Sequence, residues 1–306
     1  MYKYIFRRIL EAIPTLLILI AITFFLMRLA PGSPFTSERA YPPEIIANIE
    51  AKYHLNEPMW KQFLIYLNSL LHGDLGPSFK YKDFTVNQLV GQSFGASLKL
   101  GSISFLIVLA LGITVGIIAA LYQNTWIDYS VISLLVVGSV IPTIVAAPVL
   151  IYIFAVKLGW LPSGGWNGGA LRNMILPIII YVYGSMTFLA RITRGNMIEV
   201  LTNNYIRTAR AKGLSTRYII VHHALRAVSV PVVQVLTLSF VGFITGSIIV
   251  EQIFGIPGLG QLYVQGATNR DYGLVLSITI LSGVLIVLAN IVNDILMAVV
   301  DPRIKF

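Results

Sequence analysis

Residues 100–127 read LGSISFLIVLALGITVGIIAALYQNTWI and contain no charged side chain. A helix needs about 20 mostly apolar residues to cross the roughly 30 Å of hydrocarbon in a bilayer. This run exceeds that length, and its apolar residues lack the sustained alternation that a transmembrane β-strand requires. The stretch therefore predicts a helix that spans a membrane.

The same pattern recurs along the chain. Five further uncharged runs cover 12–27, 129–156, 173–190, 227–250 and 272–293. We therefore predict an all-α polytopic membrane protein with six spanning helices. These are expected at roughly 9–30, 97–122, 131–157, 172–191, 228–251 and 273–299.

Composition excludes most other classes of protein. Of the 306 residues, 56% are hydrophobic and 11% are charged, against about 25% charged residues in a typical soluble domain. A soluble enzyme, a nucleic-acid binder and a disordered scaffold are therefore poor interpretations. The net charge of +9 indicates basic cytoplasmic loops rather than a nucleic-acid partner. The chain has no cysteine, which removes disulfides, thiolate metal sites and cysteine nucleophiles.

The distribution of basic residues predicts the orientation. The segment 191–227 carries seven arginines and lysines against the single acid Glu199, and both chain ends are basic. With six spans these three segments share one side, which the positive-inside rule makes the cytoplasm. The loops 158–171 and 252–272, with only Arg270 and Asp271 charged, then lie outside.

The first apolar helix could be a cleaved signal peptide or a retained anchor. Its basic start fits a signal peptide, but Glu11 and Pro14 open the apolar stretch and Arg28 follows it, so a retained anchor is favoured. This interpretation divides the chain into four parts. They are 1–30 (cytoplasmic tail and first helix), 31–96 (outer loop), 97–300 (membrane core) and 301–306 (cytoplasmic tail). Within the outer loop, one short helix is expected after Pro42-Pro43 and another over 60–71.

No residue pattern points to chemistry performed by this chain. The sequence has no phosphate-binding loop, no nucleophile elbow, no H-E-x-x-H pair and no EF-hand loop, so we predict neither a catalytic nor a metal site. His222 and His223 are adjacent and cannot bind one ion from one helix face. Glu11, Glu251 and Asp294 lie near predicted helix ends, which favours structural pairing or interfacial snorkelling over proton transfer.

The segment 191–227 is too polar to span, yet it is patterned. Tyr205 to Lys212 predicts a short helix, and Gly213 is a usual helix stop. Ser215 is a suitable N-cap for a second helix. A rigid helix–turn–helix of this kind suits contact with a cytoplasmic partner. A basic loop that binds lipid headgroups has the same composition, so both interpretations stay open here.

The stretch Tyr205-Ile-Arg-Thr-Ala-Arg-Ala-Lys-Gly-Leu214 resembles the cytoplasmic coupling loop of ABC importer permeases, in the form typical of the dipeptide/oligopeptide/nickel branch. Arg207 replaces the acid of the general motif, and His223 and Arg226 replace its isoleucine and proline. Further likeness lies in Arg28–Gly32, Tyr53–Asn56, Gly73–Pro77, Phe254–Gln261 and Asn269–Tyr272. The chain is thus similar, over nearly its whole length, to the B-type permease subunits of bacterial oligopeptide importers.

This resemblance implies a type I importer permease with one N-terminal helix and a five-helix core in the bacterial inner membrane. The implied partners are a homologous C-type permease, two ABC ATPase subunits that bind ATP and Mg, and a periplasmic or lipid-anchored peptide-binding protein. This chain would bind no cofactor. The residues implied to contact an ATPase are Tyr205, Arg207, Thr208, Ala209, Arg210, Lys212, Gly213 and Leu214. A periplasmic-side Gly/Pro loop is marked by Phe254, Gly255, Pro257, Gly258 and Gly260.

Other functions remain as alternatives. Six spans equally suit a secondary transporter or channel without ATPase partners, although charged residues near the membrane midplane are missing. An intramembrane hydrolase would need a nucleophile with a base in reach, which the sequence does not offer. Within the importer family, dipeptides or nickel are alternative cargoes.

Overall fold

The computed structural model describes residues 2–29, 56–81 and 83–300, and this part of the chain is helical without a β-strand. The predicted all-α fold is confirmed. The helix expected after Pro42-Pro43 and the tail 301–306 lie outside the described residues. The described helices are α1 (Tyr2–Leu29), α2 (Met59–Leu71), α3 (Val86–Leu121), α4 (Trp126–Val140), α5 (Thr143–Leu150), α6 (Leu171–Thr202), α7 (Asn204–Ala211), α8 (Thr216–Ile219), α9 (Leu225–Ile244), α10 (Ile248–Phe254), α11 (Leu259–Thr268) and α12 (Tyr272–Val300).

Five stretches of the described chain are long and apolar enough to cross a membrane, and a bent helix pair makes a sixth candidate. That pair is α4 and the segment Thr143–Lys157, and the axes of the two differ by 100°. The segment consists of α5 and a π-helical continuation, Ile151–Lys157. The prediction of one unbroken helix over 131–157 is therefore wrong. Ile141 is extended (φ −76°, ψ 115°) because the following Pro142 disfavours the helical conformation and has no N–H to donate.

Two other predicted boundaries also shift. Helix α3 begins at Val86 rather than near 97, because Thr85 and Gln88 form a reciprocal capping box. The helix expected over 228–251 ends at Ile244, since Gly246 adopts a left-handed conformation (φ +85°). A new helix then starts with Ser247 as its N-cap. The length of an apolar run predicts that a segment spans the membrane, but it does not reveal breaks in the helix.

Small residues set the spacing of the core helices α3, α6 and α9. A Cβ atom added to Gly112 would lie 2.8 Å from Leu189, and one added to Gly116 would lie 2.7 Å from the Ala190 carbonyl oxygen. The spacing Gly112-x-x-x-Gly116 is a small-residue pattern that lets two helices approach closely, and it does so here. The same spacing at Gly242 and Gly246 does not, because Gly242 has open space around it.

Ion pairs connect helices at the end of the bundle where α6 ends and α7 begins. We call this the basic end. Asp128 of α4 is buried and accepts two hydrogen bonds from Arg194 of α6, at 2.7 and 2.6 Å. Asp294 of α12 pairs with Arg8 of α1 at 2.9 Å. Glu11 pairs with Arg7 on the same helix. The structural pairing expected for Glu11 and Asp294 is confirmed.

We predict that Gly101→Ala destabilises the chain. The added methyl group would overlap the backbone carbonyl of Phe243 and push α3 away from α9, at a cost of about 1–3 kcal/mol in the free energy of unfolding. The matched control is Gly91→Ala in the same helix, where the added atom meets nothing within 4 Å. Thermal unfolding of the purified variants in detergent measures the difference, and equal melting temperatures would contradict the packing described.

Candidate functional site

The helix α7 projects as a short, well-terminated element at the basic end. Gly213 adopts φ +78°, which a residue with a side chain rarely does. Its amide donates to the Arg210 carbonyl at 2.9 Å, and the Leu214 amide donates to the Ala209 carbonyl at 3.3 Å. This pair of bonds is the Schellman arrangement that satisfies the last carbonyls of a helix. The predicted stop at Gly213 is confirmed.

The second helix of the pair starts where the sequence predicts. The Ser215 side chain accepts a hydrogen bond from the Tyr218 amide and caps α8. The chain continues through a π-helical turn, Ile220–Ala224, directly into α9. Because Ile219 and Ala224 are buried, the second helix is fixed to the membrane helices rather than free in solvent.

One face of α7 is buried and the other is open. Ile206 and Ala209 belong to the main hydrophobic core, together with Met197 and Val200 of α6. Ala209 is only 6% exposed, so it anchors the helix. The other sequence-predicted coupling residues are all exposed: Tyr205, Arg207, Thr208, Arg210, Lys212, Gly213 and Leu214. The exposed basic residues of α7 therefore lie on a helix whose other face is packed into the hydrophobic core.

At the opposite end of the bundle, the Gly/Pro loop is organised by Glu251 of α10. This carboxylate is fully buried. It accepts hydrogen bonds from the Ser97 hydroxyl at 2.7 Å, the Gly260 amide at 2.7 Å and the Gln261 amide at 3.2 Å. Those amides are the otherwise unpaired donors at the start of α11, where negative charge is favoured. Glu251 is thus paired structurally, as predicted.

The glycines of this loop make room for that carboxylate. A Cβ atom on Gly258 would overlap the Glu251 carboxyl group, and one on Gly260 would lie 2.8 Å from the Ile248 amide nitrogen. Gly255 ends α10 in a left-handed conformation. Phe254 is buried, and its carbonyl accepts a hydrogen bond from Gly165 at 2.7 Å. The loop is therefore a packed structural joint, and Pro257 and Gly255 are its exposed members.

A third buried carboxylate, Asp271, was not singled out from the sequence. It accepts hydrogen bonds from the Ser78 hydroxyl and the Phe79 amide of the segment that precedes α3. It also accepts one from the Leu274 amide in the first turn of α12. Asp271 therefore ties the outer-loop segment to α12. The sequence could have indicated this role, because Asp271 stands just before an apolar helix and aspartate is a typical N-cap residue.

The membrane helices α3, α6 and α9 form a half-open cavity of about 330 Å³. Its walls are mostly apolar and include Phe105, Tyr181 and Phe243. Two serines, Ser185 of α6 and Ser239 of α9, are its small polar members. Tyr181 lies ten residues from the start of α6, which is about 15 Å and half of a hydrocarbon layer. The cavity thus lies at mid-membrane depth.

His222 and His223 form no metal site. In the described ranges 2–29, 56–81 and 83–300, no three histidine, aspartate or glutamate side chains are grouped as a metal ion would need. The His222 ring stacks on Tyr218 with ring centres 4.2 Å apart. His223 meets the same tyrosine edge-on at 5.9 Å. These contacts stabilise the second helix of the pair.

Comparison with known families gives two matches that together cover the chain. Residues 112–306 match the family described as binding-protein-dependent transport system inner membrane component, and residues 1–114 match its N-terminal counterpart. The chain is 58% identical to the oligopeptide transport system permease protein OppB of Haemophilus influenzae and 59% identical to that of Salmonella typhimurium, each over the full length of both chains. It is 39% identical to the dipeptide transport system permease protein DppB of Bacillus subtilis, over all of this chain and 98% of the relative.

Solved structures show the same fold at low identity. An inward-facing conformation of the MetNI methionine ABC transporter matches with a TM-score of 0.56 at 20% identity, over 70% of this chain and 97% of that one. An amino acid ABC transporter crystallised with histidines matches with a TM-score of 0.52 at 18% identity, over 69% and 94%. At these identities, the likeness concerns the fold alone.

We predict that Glu251→Ala destabilises the Gly/Pro loop. The change leaves the buried Gly260 amide and the half-buried Gln261 amide without this acceptor, which costs about 2–5 kcal/mol in the free energy of unfolding. Glu251→Gln keeps an acceptor and should cost less. Gln252→Ala, at the exposed neighbouring position, is the control. Thermal unfolding compares the three, and equal stability of the two alanine variants would contradict the role of the carboxylate.

Proposed function

Because the chain belongs to the family of binding-protein-dependent transport system inner membrane components, we propose that it is the subunit through which an ATP-driven importer passes oligopeptides. It is an integral inner membrane protein, a permease component of an ABC transporter. Permeases of this family work with ATPase and substrate-binding partners. The observation that carries the proposal is the exposed basic face of α7 on a helix locked into the membrane core.

The proposed cargo follows from the relatives. Those at 58–59% identity over the whole chain are named as oligopeptide permeases, whereas the dipeptide permease is 39% identical. The cavity between α3, α6 and α9 supports this choice. Its walls are mostly apolar, with the hydroxyl groups of Ser185 and Ser239 among them. A cavity of this volume and lining suits peptide side chains of varied chemistry rather than one fixed ligand. A nickel cargo would need a cluster of ligands that the described residues do not form.

We place the energy source outside this chain. The sequence has no nucleotide-binding or catalytic motif, so the subunit itself is proposed to have no enzymatic activity. ATP and Mg would be bound by two partner ATPases, and no cofactor by this chain. A homologous C-type permease would complete the pathway, and a peptide-binding protein outside the membrane would deliver the cargo. Both chain ends and the basic end of the bundle then face the cytoplasm.

The proposed mechanism transmits force through α7. When two ATPases close around ATP, they displace the exposed face of α7, and its buried face carries the displacement into α6 and α9. The Asp128–Arg194 ion pair extends the connection to α4. Broken helices supply the places where the bundle bends, notably Ile141-Pro142 and the turn at Gly246. A flexible loop in place of α7 would absorb the same displacement.

We predict that the double variant Arg207→Glu, Arg210→Glu uncouples the importer. Reversed charge on the exposed face should weaken its contact with an ATPase and lower ATP-dependent peptide uptake by about 10-fold or more, while the chain stays inserted. Gly213→Pro should act similarly, since proline cannot adopt φ +78° or donate to Arg210. Lys157→Glu, an exposed charge reversal on another segment, is the control. Normal uptake by the double variant would remove the coupling role of α7.

We also predict that filling the mid-membrane cavity blocks peptide passage. Gly242→Phe places a ring at the edge of that cavity, where space is open, and should lower peptide uptake by about 10-fold without unfolding the subunit. The control is Leu106→Phe, an exposed position on α3. Uptake of radiolabelled trialanine by vesicles that contain the whole importer measures both. Unchanged uptake in Gly242→Phe would exclude this cavity from the pathway.

A further inference from the structure

One face of α6 is left open by its neighbours. Its residues are Gly184, Phe188, Arg191 and Gly195, spaced so that they lie on one side of the helix. A Cβ atom added at either glycine would meet nothing within 4 Å. Phe188 is 57% exposed, and Arg191 is exposed as well. This open face is therefore available to a molecule outside the described chain.

Arg191 is a cation at the edge of the membrane without a counter-ion. It lies about 30 Å along α6 from Leu171, the thickness of the hydrocarbon layer. Nearby arginines are neutralised, since Arg194 pairs with Asp128 and Arg8 with Asp294. Among the described residues, Arg191 has no acidic partner. At the edge of the membrane the guanidinium reaches the interface, where an anion can pair with it.

Two cavities border Arg191. One, of about 360 Å³, is lined by Phe188, Arg191 and Ile192, and it shares Phe188 with the wall of the mid-membrane cavity. The other, of about 390 Å³, lies between α4 and α6 and is lined by Asp128, Tyr129, Ile132, Arg191 and Arg194. The Asp128 carboxylate in that cavity already binds Arg194 through two hydrogen bonds. Arg191 thus lies next to the mid-membrane cavity, with Phe188 between them.

We propose that Arg191 binds the terminal carboxylate of the peptide during its passage. This inference rests on the proposed function and identifies a substrate-binding residue within it. Peptides of any sequence share one α-carboxylate, and a planar guanidinium binds such a group through two parallel hydrogen bonds. Phe188 and Ile192 supply apolar contact for the residue next to that terminus. Arg191 recognises the feature that varied cargoes have in common.

The phosphate of a lipid headgroup is the other anion that could reach this position. The shared wall at Phe188 favours the peptide, because it links Arg191 with the mid-membrane cavity rather than with the membrane surface alone. The experiment therefore includes an arm in which the anionic lipid content of the vesicles is varied. A peptide site and a lipid site respond differently to that change.

The first test uses the complete importer, with both permeases, the ATPases and the binding protein, in vesicles supplied with ATP and radiolabelled trialanine. Arg191→Gln should lower uptake by about 10-fold, and Arg191→Lys should lower it less, because lysine keeps the charge but not the paired hydrogen bonds. The control is Arg172→Gln on the same helix, whose side chain bonds the Trp160 carbonyl. If the Arg191→Gln variant takes up peptide at the wild-type rate, this inference is overturned and the proposed function is not. If the wild-type importer takes up no peptide, the proposed function is overturned.

The second test uses the absence of cysteine, which makes Arg191→Cys the only thiol of this subunit. Attaching a methanethiosulfonate that carries an ethylammonium group should restore uptake, and attaching its sulfonate counterpart should not. Peptide present during turnover should slow the labelling. A defect in Arg191→Gln that appears only with anionic lipid, without protection by peptide, would assign the site to a lipid headgroup and overturn the inference.

Discussion

The buried carboxylate of Glu251 is the interaction on which the outer half of the bundle depends. Glu251 lies in α10 and accepts hydrogen bonds from the Ser97 hydroxyl of α3 and from the Gly260 amide in the first turn of α11. An unpaired carboxylate in this position would be strongly unfavourable, so its donors and the surrounding glycines form one unit. At the basic end, the Asp128–Arg194 pair plays the corresponding part. Between these two interactions, the core helices α3, α6 and α9 pack against one another.

Much of this fold could be predicted because apolar length and helix punctuation are local properties. Uncharged runs located the spanning helices, and Gly213 with Ser215 marked the helix pair at the basic end. Non-local features escaped prediction. The partner of Asp128 lies 66 positions away, and the burial of Ala209 depends on the core against which α7 packs. The 100° bend between α4 and α5 leaves hydropathy unchanged, so composition alone could not reveal it.

The packed Gly/Pro loop differs in exposure from the faces of α7 and α6. The Gly/Pro loop is a joint, since Phe254 and Glu251 are buried and the loop glycines fit around the carboxylate. The basic face of α7 and the open face of α6, in contrast, are exposed. In the proposed importer, the first meets the ATPase and the second faces the peptide, and α6 leads directly into α7. Force and cargo would therefore act on one continuous piece of chain.

In the proposed mechanism the energy for transport comes from partner subunits, and peptide accumulation against a concentration gradient tests this most directly. Vesicles would contain this subunit and its partner permease, with or without the ATPases, and internal radiolabelled trialanine would be measured with ATP present. We predict uphill accumulation only when the ATPases are included and ATP is hydrolysed. Uphill accumulation without them, driven by an ion gradient, would contradict it and identify the chain as a secondary transporter.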